Sequence, residues 1–233
     1  MKRTLPAAMA LIGLMLLILS ACGGDEATPT ASSTPQPTRR PRPTPLPTPV
    51  AVPTPDCNGA FFSETKHTVC EPFLTYWKEK GSVAIFGYPI TDLIQETDKG
   101  TGEVYTAQYF ERARFELHQS TGNTVVLGRL GALLQPAQRP VAQLEGATFF
   151  PETGHNLNGP FLKFWSENGG LAVFGFPITE ERVETNPIDK KDYTVQYFER
   201  SRFEYHPENA RTPFEVQLGQ LGTQLYYTKY FRR

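Results

Sequence analysis

The chain lacks the common sequence marks of a catalyst. No Gly-x-Ser-x-Gly elbow, phosphate-binding glycine loop, His-Glu-x-x-His helix or Cys-x-x-Cys pair occurs in its 233 residues. The usual nucleophilic, nucleotide-dependent and zinc-dependent routes therefore have no motif to start from. Charge of one sign is not in excess either. The 23 basic and 24 acidic residues leave a formal net charge of −1, which gives no electrostatic footprint for nucleic acid. Histidine and cysteine are scarce, at four and three residues. None of them has metal-site spacing, so neither a metal nor a cofactor is expected. The one apolar run, Leu11 to Leu19, is shorter than the roughly 20 residues that a membrane-spanning helix needs.

That run has a different use. Lys2 and Arg3 precede it and Leu19-Ser20-Ala21 follows, which is the layout of a secretory signal over residues 1–21. Cys22 directly after Ser-Ala resembles the bacterial lipobox. The resemblance implies cleavage before Cys22 and a diacylglycerol on its sulfur; the alternative is an ordinary signal with an incidental cysteine. Several acyl chains would hold the mature protein to a membrane, facing outward. Residues 22–56 then repeat Thr-Pro pairs (Thr28-Pro29, Thr34-Pro35, Thr44-Pro45, Thr48-Pro49, Thr54-Pro55) with few large apolar side chains. Such a stretch cannot bury enough surface to offset its ordering entropy. It reads as an extended stalk with a reach on the order of 100 Å. With Cys22 lipidated, Cys57 and Cys70 remain as an even pair in an oxidising compartment, and a disulfide between them is expected.

The rest of the chain is written twice. Phe149 to His206 repeats Phe61 to His118 at a constant offset of 88 residues. The register then slips by three residues and locks again on Leu127-Gly-Arg-Leu-Gly131 and Leu218-Gly-Gln-Leu-Gly222. A block with such fixed spacing is a folding unit. The expected boundaries are 57–134 for the first unit, 135–146 for a linker, and 147–233 for the second unit. The aromatic end from Leu225 is expected to cap the second unit. Within each unit Pro72 or Pro160 suits the first turn of a short helix. Phe73 and Trp77, or Phe161 and Trp165, share one face of it. Gly81, or the pair Gly169-Gly170, should end it. Ile85 to Thr91 reads as a tight turn or a brief extended segment, and Asp92 to Val104 as a polar loop. Tyr105–Phe110 and Arg114–His118 read as strands, with Arg112, Arg114, Glu116 and His118 on a solvated face. A third short strand or a turn covers Val125–Gly128. The fold class is therefore α+β: two tandem repeats, each a short helix with a small antiparallel sheet.

These residues carry a resemblance. Trp…Gly-Gly…Phe-Gly-Phe-Pro-Ile-Thr-Glu, then Tyr-Phe-Glu-Arg-x-Arg-Phe-Glu-Tyr-His-Pro and Leu-Gly, is similar to the LGFP repeat of bacterial envelope proteins. It also resembles a longer related repeat of secreted, wall-associated proteins. Both copies are covered. The resemblance implies an accessory module without catalysis of its own, associated with the cell wall or its glycans. Ala113 and Ser201 depart from the pattern, standing where the LGFP hairpin commonly has glycine. At a left-handed turn position either would cost about 1 kcal/mol. The candidate contacts for a wall polysaccharide are Trp77, Tyr109, Arg112, Arg114 and their counterparts Trp165, Tyr197, Arg200 and Arg202. The alternatives are a structural domain or one that binds an envelope protein, and, more remotely, a hydrolase using paired carboxylates such as Glu111 and Glu116. Exposed repeated rings favour the glycan; buried ones favour the protein-binding reading.

Overall fold

The computed structural model describes residues 46–51, 57–122, 124–186 and 189–231. The expected signal sequence, the lipidation at Cys22 and the stalk up to Pro45 lie outside the described residues. The described residues all fall within one compact unit.

In chain order the first half contains β1 (Val50–Ala51), β2 (Gly59–Phe62), β3 (His67–Cys70), α1 (Phe73–Lys80), α2 (Ser82–Phe86), β4 (Ile94–Thr97), β5 (Val104–Tyr109), β6 (Arg114–Leu117), β7 (Val125–Leu127) and α3 (Leu130–Leu134). The second half follows the same order, with no counterpart to β1 among the described residues: β8 (Thr148–Phe150), β9 (His155–Leu157), α4 (Gly159–Glu167), α5 (Gly170–Phe174), β10 (Arg182–Thr185), β11 (Asp192–Tyr197), β12 (Arg202–Tyr205), β13 (Val216–Leu218) and α6 (Leu221–Tyr230). The sheets run β1-β4-β5-β6-β7 and β10-β11-β12-β13, and β2-β3 and β8-β9 are separate two-stranded hairpins. Every strand pair is antiparallel. The fold class is α+β. No helix among the described residues is long and apolar enough to cross a membrane. Cys57 and Cys70 form a disulfide, which suits an oxidising, extracytoplasmic location. Replacing both by serine should lower unfolding stability by about 3 kcal/mol, the chain-entropy value for so short a loop. Coincident denaturation midpoints would remove that estimate.

The repeated motif is accounted for by folding, residue by residue. Phe86 and Phe115 meet edge to face at 4.8 Å, and Phe174 and Phe203 do so at 4.9 Å. The Gln108 amide donates to the carbonyls of Thr68 and Thr91, both at 2.8 Å, and Gln196 does the same to Asn156 and Thr179. The Thr91 and Thr179 hydroxyls accept from the backbone of Tyr109 and Tyr197. Glu111 and Glu199 accept the N–H of Tyr88 and Phe176. Gly87 holds φ at 76° directly beneath Glu111, where a Cβ would lie 2.4 Å from a carboxylate oxygen. These bonds pin strand, turn and hairpin together in both copies, and buried polar groups need such partners.

Three local expectations are corrected. Gly81 and Gly169 do end one helix, but the chain turns there and resumes as α2 and α5. A five-residue helix is too short to display a period. The polar loop from Asp92 contains β4, whose buried positions are Ile94 and Glu96. A carboxylate in an inward position hides the alternation that marks a strand. Ala113 and Ser201 do not adopt positive φ, so the hairpins carry no left-handed strain there. Both are buried, and their backbone lies against Gly222 and Gly131 of the other half's helix.

That helix contact joins the halves reciprocally. α3 leaves the first sheet and docks on the hairpin of the second; α6 leaves the second and docks on the hairpin of the first. The Ala132 N–H donates to Glu199 O at 3.1 Å, and the Thr223 N–H donates to Glu111 O at 3.1 Å. One continuous core spans both halves. The C-terminal aromatic segment therefore caps the first unit, not the second. Tyr226 packs on Tyr109 with ring centroids 5.2 Å apart, and Tyr230 joins Ile94, Tyr105 and Tyr109 in a second cluster. The reason is connectivity: β13 ends facing the other half's hairpin, so the next helix lands there.

Candidate functional site

The sequence-predicted contacts divide into those the fold consumes and those it leaves partly open. Trp77 is buried; its indole N–H donates to Gly87 O at 3.0 Å and its ring lies against Phe62. Trp165 is half-buried with the same bond to Gly175 O at 3.0 Å, beside Phe150. Neither ring forms an exposed shelf. Tyr109 is completely buried and Arg114 is buried, so as contacts for a polymer both are corrected. Glu116 is buried too, and α6 reaches this sheet through Lys229 and Tyr230 at Glu96 and Tyr226 at Tyr109. Arg112 donates to Val83 O at 2.7 Å and Leu218 O at 3.3 Å, and Arg200 to Leu171 O at 3.1 Å. Both act first as backbone ties.

The buried face of the first sheet is organised around Glu96, whose side chain has no exposure. Its carboxylate accepts from the hydroxyls of Tyr105 and Tyr109 at 2.8 Å and of Tyr230 at 2.6 Å. Arg114 lies at 3.1 Å and Lys229 at 2.6 Å. Burial pushes this carboxyl up, but Arg114, Lys229 and the Tyr230 hydroxyl outweigh it and hold it down at about 2. Burial, followed by the influence of Glu96, raises the phenols of Tyr105 and Tyr230. The second sheet repeats the arrangement in a more open form. Glu184 takes the Tyr197 hydroxyl at 3.2 Å, with Arg182 at 2.5 Å and Arg202 at 3.2 Å. Arg202 also pairs with Glu204. Arg182, standing where the first half has Ile94, lies over the Tyr197 ring at 5.0 Å. It supplies the cation that α6 brings to Glu96 as Lys229.

The histidines are paired with carboxylates and are not gathered. His118 Nε2 lies 2.7 Å from Glu116, His155 Nδ1 3.0 Å from Glu180, and His206 Nδ1 3.0 Å from Glu208. Among the described residues no three His, Cys, Asp or Glu side chains group as metal ligands.

The concave surface lies elsewhere. A groove of about 840 Å³ is walled by α2 and Arg112 of the first half, by α4 of the second, and by residues 211–218. Phe164 and Phe214 line it together with Lys163, Glu167, Asn168 and Arg211. Phe214 is 66% exposed. Its wall includes the three-residue excess of the second copy, and Arg211 within it has a left-handed φ of 65°, uncommon for a residue with a side chain. The signal for this site was the register slip, which marks where one copy carries residues that the other folds without. A second cavity, of about 20 Å³ between Phe86, Phe174, Arg112 and Arg200, is too small for an organic ligand. No family model, curated protein or solved structure matches the chain.

Proposed function

We propose that the protein is a non-catalytic binding module of the bacterial cell envelope. In this reading it is lipid-anchored through Cys22 and associates with a cell-wall glycan or another extended envelope polymer along the groove between its halves. The groove is the observation that carries the reading. It falls in the size range of ligand sites. It sets an exposed phenyl ring, Phe214, beside two cations, Lys163 and Arg211, and the amide of Asn168. A ring for an apolar sugar face with a few directional polar groups suits a polysaccharide better than a compact metabolite. The four histidines each lie beside a carboxylate, and Glu111 and Glu199 are tied to backbone N–H groups, which supports binding over acid–base chemistry.

The test is a pull-down of the compact unit, from Thr44 onward, on purified cell-wall sacculi. A Phe214→Ala/Lys163→Glu variant with an unchanged melting temperature should bind at least about tenfold more weakly, the scale of 1.4 kcal/mol. Equal binding by that folded variant moves the site away from the groove. No saturable binding by the parent turns the reading to a protein-binding surface. The burial of Trp77 and Tyr109 favours that second reading, because the repeated rings offer no shelf for sugars.

A further inference from the structure

The two sheets differ at one edge. In the first half, β1 lies antiparallel along β4, with Val50 opposite Gln95 and Ala51 opposite Ile94, which makes a fifth strand. The equivalent edge of the second half, β10, has no strand against it among the described residues. The segment between the halves does not fill it. There the backbone bonds run from the Gln138 N–H to Ile178 O and from the Val141 N–H to Gly154 O, and the segment touches the edge only at its start, where the Arg182 side chain donates to the Gln135 side chain at 3.0 Å. The positions equivalent to Ile94 and Gln95 are Arg182 and Val183. Val183 is 67% exposed, and Val50, on its own edge, is 62% exposed.

An open edge presents unpaired N–H and C=O groups to any extended chain, and an added strand is a recurrent mode of recognition. We propose that the β10 edge accepts the Val50–Ala51 segment of a second copy of this chain, in the register seen on β4. Val50 would then stand opposite Val183 and Ala51 opposite Arg182. Three observations point to this occupant. Both edges belong to the same strand arrangement, so a segment that fits one has the backbone geometry for the other. On β4, Val50 faces the polar Gln95, whereas on β10 it meets a valine, and two exposed β-branched side chains cover each other. The segment is also held on its own edge by two residues with exposed side chains, which leaves it exchangeable. Strand and edge are different surfaces, so the contact is head-to-tail and open-ended. Membrane-anchored copies would make it at high local concentration. The proposal does not depend on the polymer-binding reading.

Thiol trapping tests it in the full chain, with Cys22→Ser throughout so that only introduced thiols are free. A Val50→Cys chain is mixed with a Val183→Cys chain, oxidised, and resolved without reductant. The mixed dimer should form several-fold more than with Thr185→Cys, two residues along the same edge and on the same face. A Val50→Cys/Gln95→Cys chain should cross-link internally, reporting the pairing on β4. Equal yields from Val183→Cys and Thr185→Cys would mean random collision and overturn the proposal. Absence of the internal cross-link would overturn it as well, by removing its precedent.

Discussion

Gly222→Ala lowers the melting temperature, although in an exposed helix the same change would raise it. Gly222 lies in α6, where alanine is favoured over glycine by about 1 kcal/mol on propensity alone. A Cβ there, however, would stand 1.9 Å from the carbonyl oxygen of Phe110 and 2.8 Å from that of Ala113. Both obstacles are backbone, inside a hairpin closed by the Phe110 N–H to Ala113 O bond at 2.8 Å, so neither moves cheaply. The helix has to lift, and with it go the burial of Leu221 and Tyr230. Overpacking of this kind costs about 1–3 kcal/mol, and more when backbone must shift. For a unit of this size the expected drop is on the order of 5–10 °C. Gly131→Ala should behave alike, because its Cβ would lie 1.9 Å from Phe198 O. A rise in melting temperature for either variant would show that the halves are not joined through these glycines.

The Leu-Gly pairs thus acquire a physical meaning that spacing alone did not carry. The sequence displayed them as the point where the register locks again, and so as part of the unit. It did not reveal that each pair serves the other unit. Nothing local distinguishes a helix that folds back on its own sheet from one that crosses to a neighbour, since both need a small residue at the contact. The same limit explains the C-terminal segment. Its aromatic content correctly indicated packing, but the choice of partner depends on the direction in which β13 ends. Strands with apolar inward residues, such as Phe115 and Phe203, were legible from alternation. β4 and β10 were not, because Glu96 and Glu184 occupy inward positions.

The candidate site was legible in the opposite sense. The residues that repeat most closely are the ones that folding employs: Trp77 and Trp165 as indole ties, Gln108 and Gln196 as amide staples, Arg112 and Arg200 as anchors on carbonyl oxygens. In a duplicated chain, repetition marks what both copies need in order to fold. Function of a single site is better sought where the copies differ. The differences are the extra residues around Arg211 and Phe214, the strand that lies on β4 but, among the described residues, not on β10, and the cation supplied by Lys229 in one half and Arg182 in the other.

That last difference leads to the variant of Glu96. Glu96→Leu should destabilise by about 3–5 kcal/mol, the usual result of removing one member of a buried ion pair. Arg114 keeps Glu116 at 2.6 Å, but the hydroxyls of Tyr105, Tyr109 and Tyr230 lose their acceptor together. Lys229, 28% exposed, can turn toward solvent, which limits the loss. Glu184→Leu should cost clearly less, because its carboxylate and Arg182 are each about a quarter exposed, at 27% and 28%, and water can replace part of the pairing. The two sites differ in burial and in the hydroxyls they hold, three on Glu96 and one on Glu184, so the gap between the variants measures burial and lost hydrogen bonds together. Acid should act through the same group. The Glu96 carboxyl sits at about 2 in the folded protein against an ordinary value of 4.5. A depressed carboxyl stabilises the fold above its unfolded value and loses that contribution as pH falls through the folded one. Parent stability should therefore decline between about pH 4.5 and 2, while Glu96→Leu should decline less steeply over that window. Parallel pH profiles for the two would place the acid sensitivity in other carboxylates and leave α6 held chiefly by its rings.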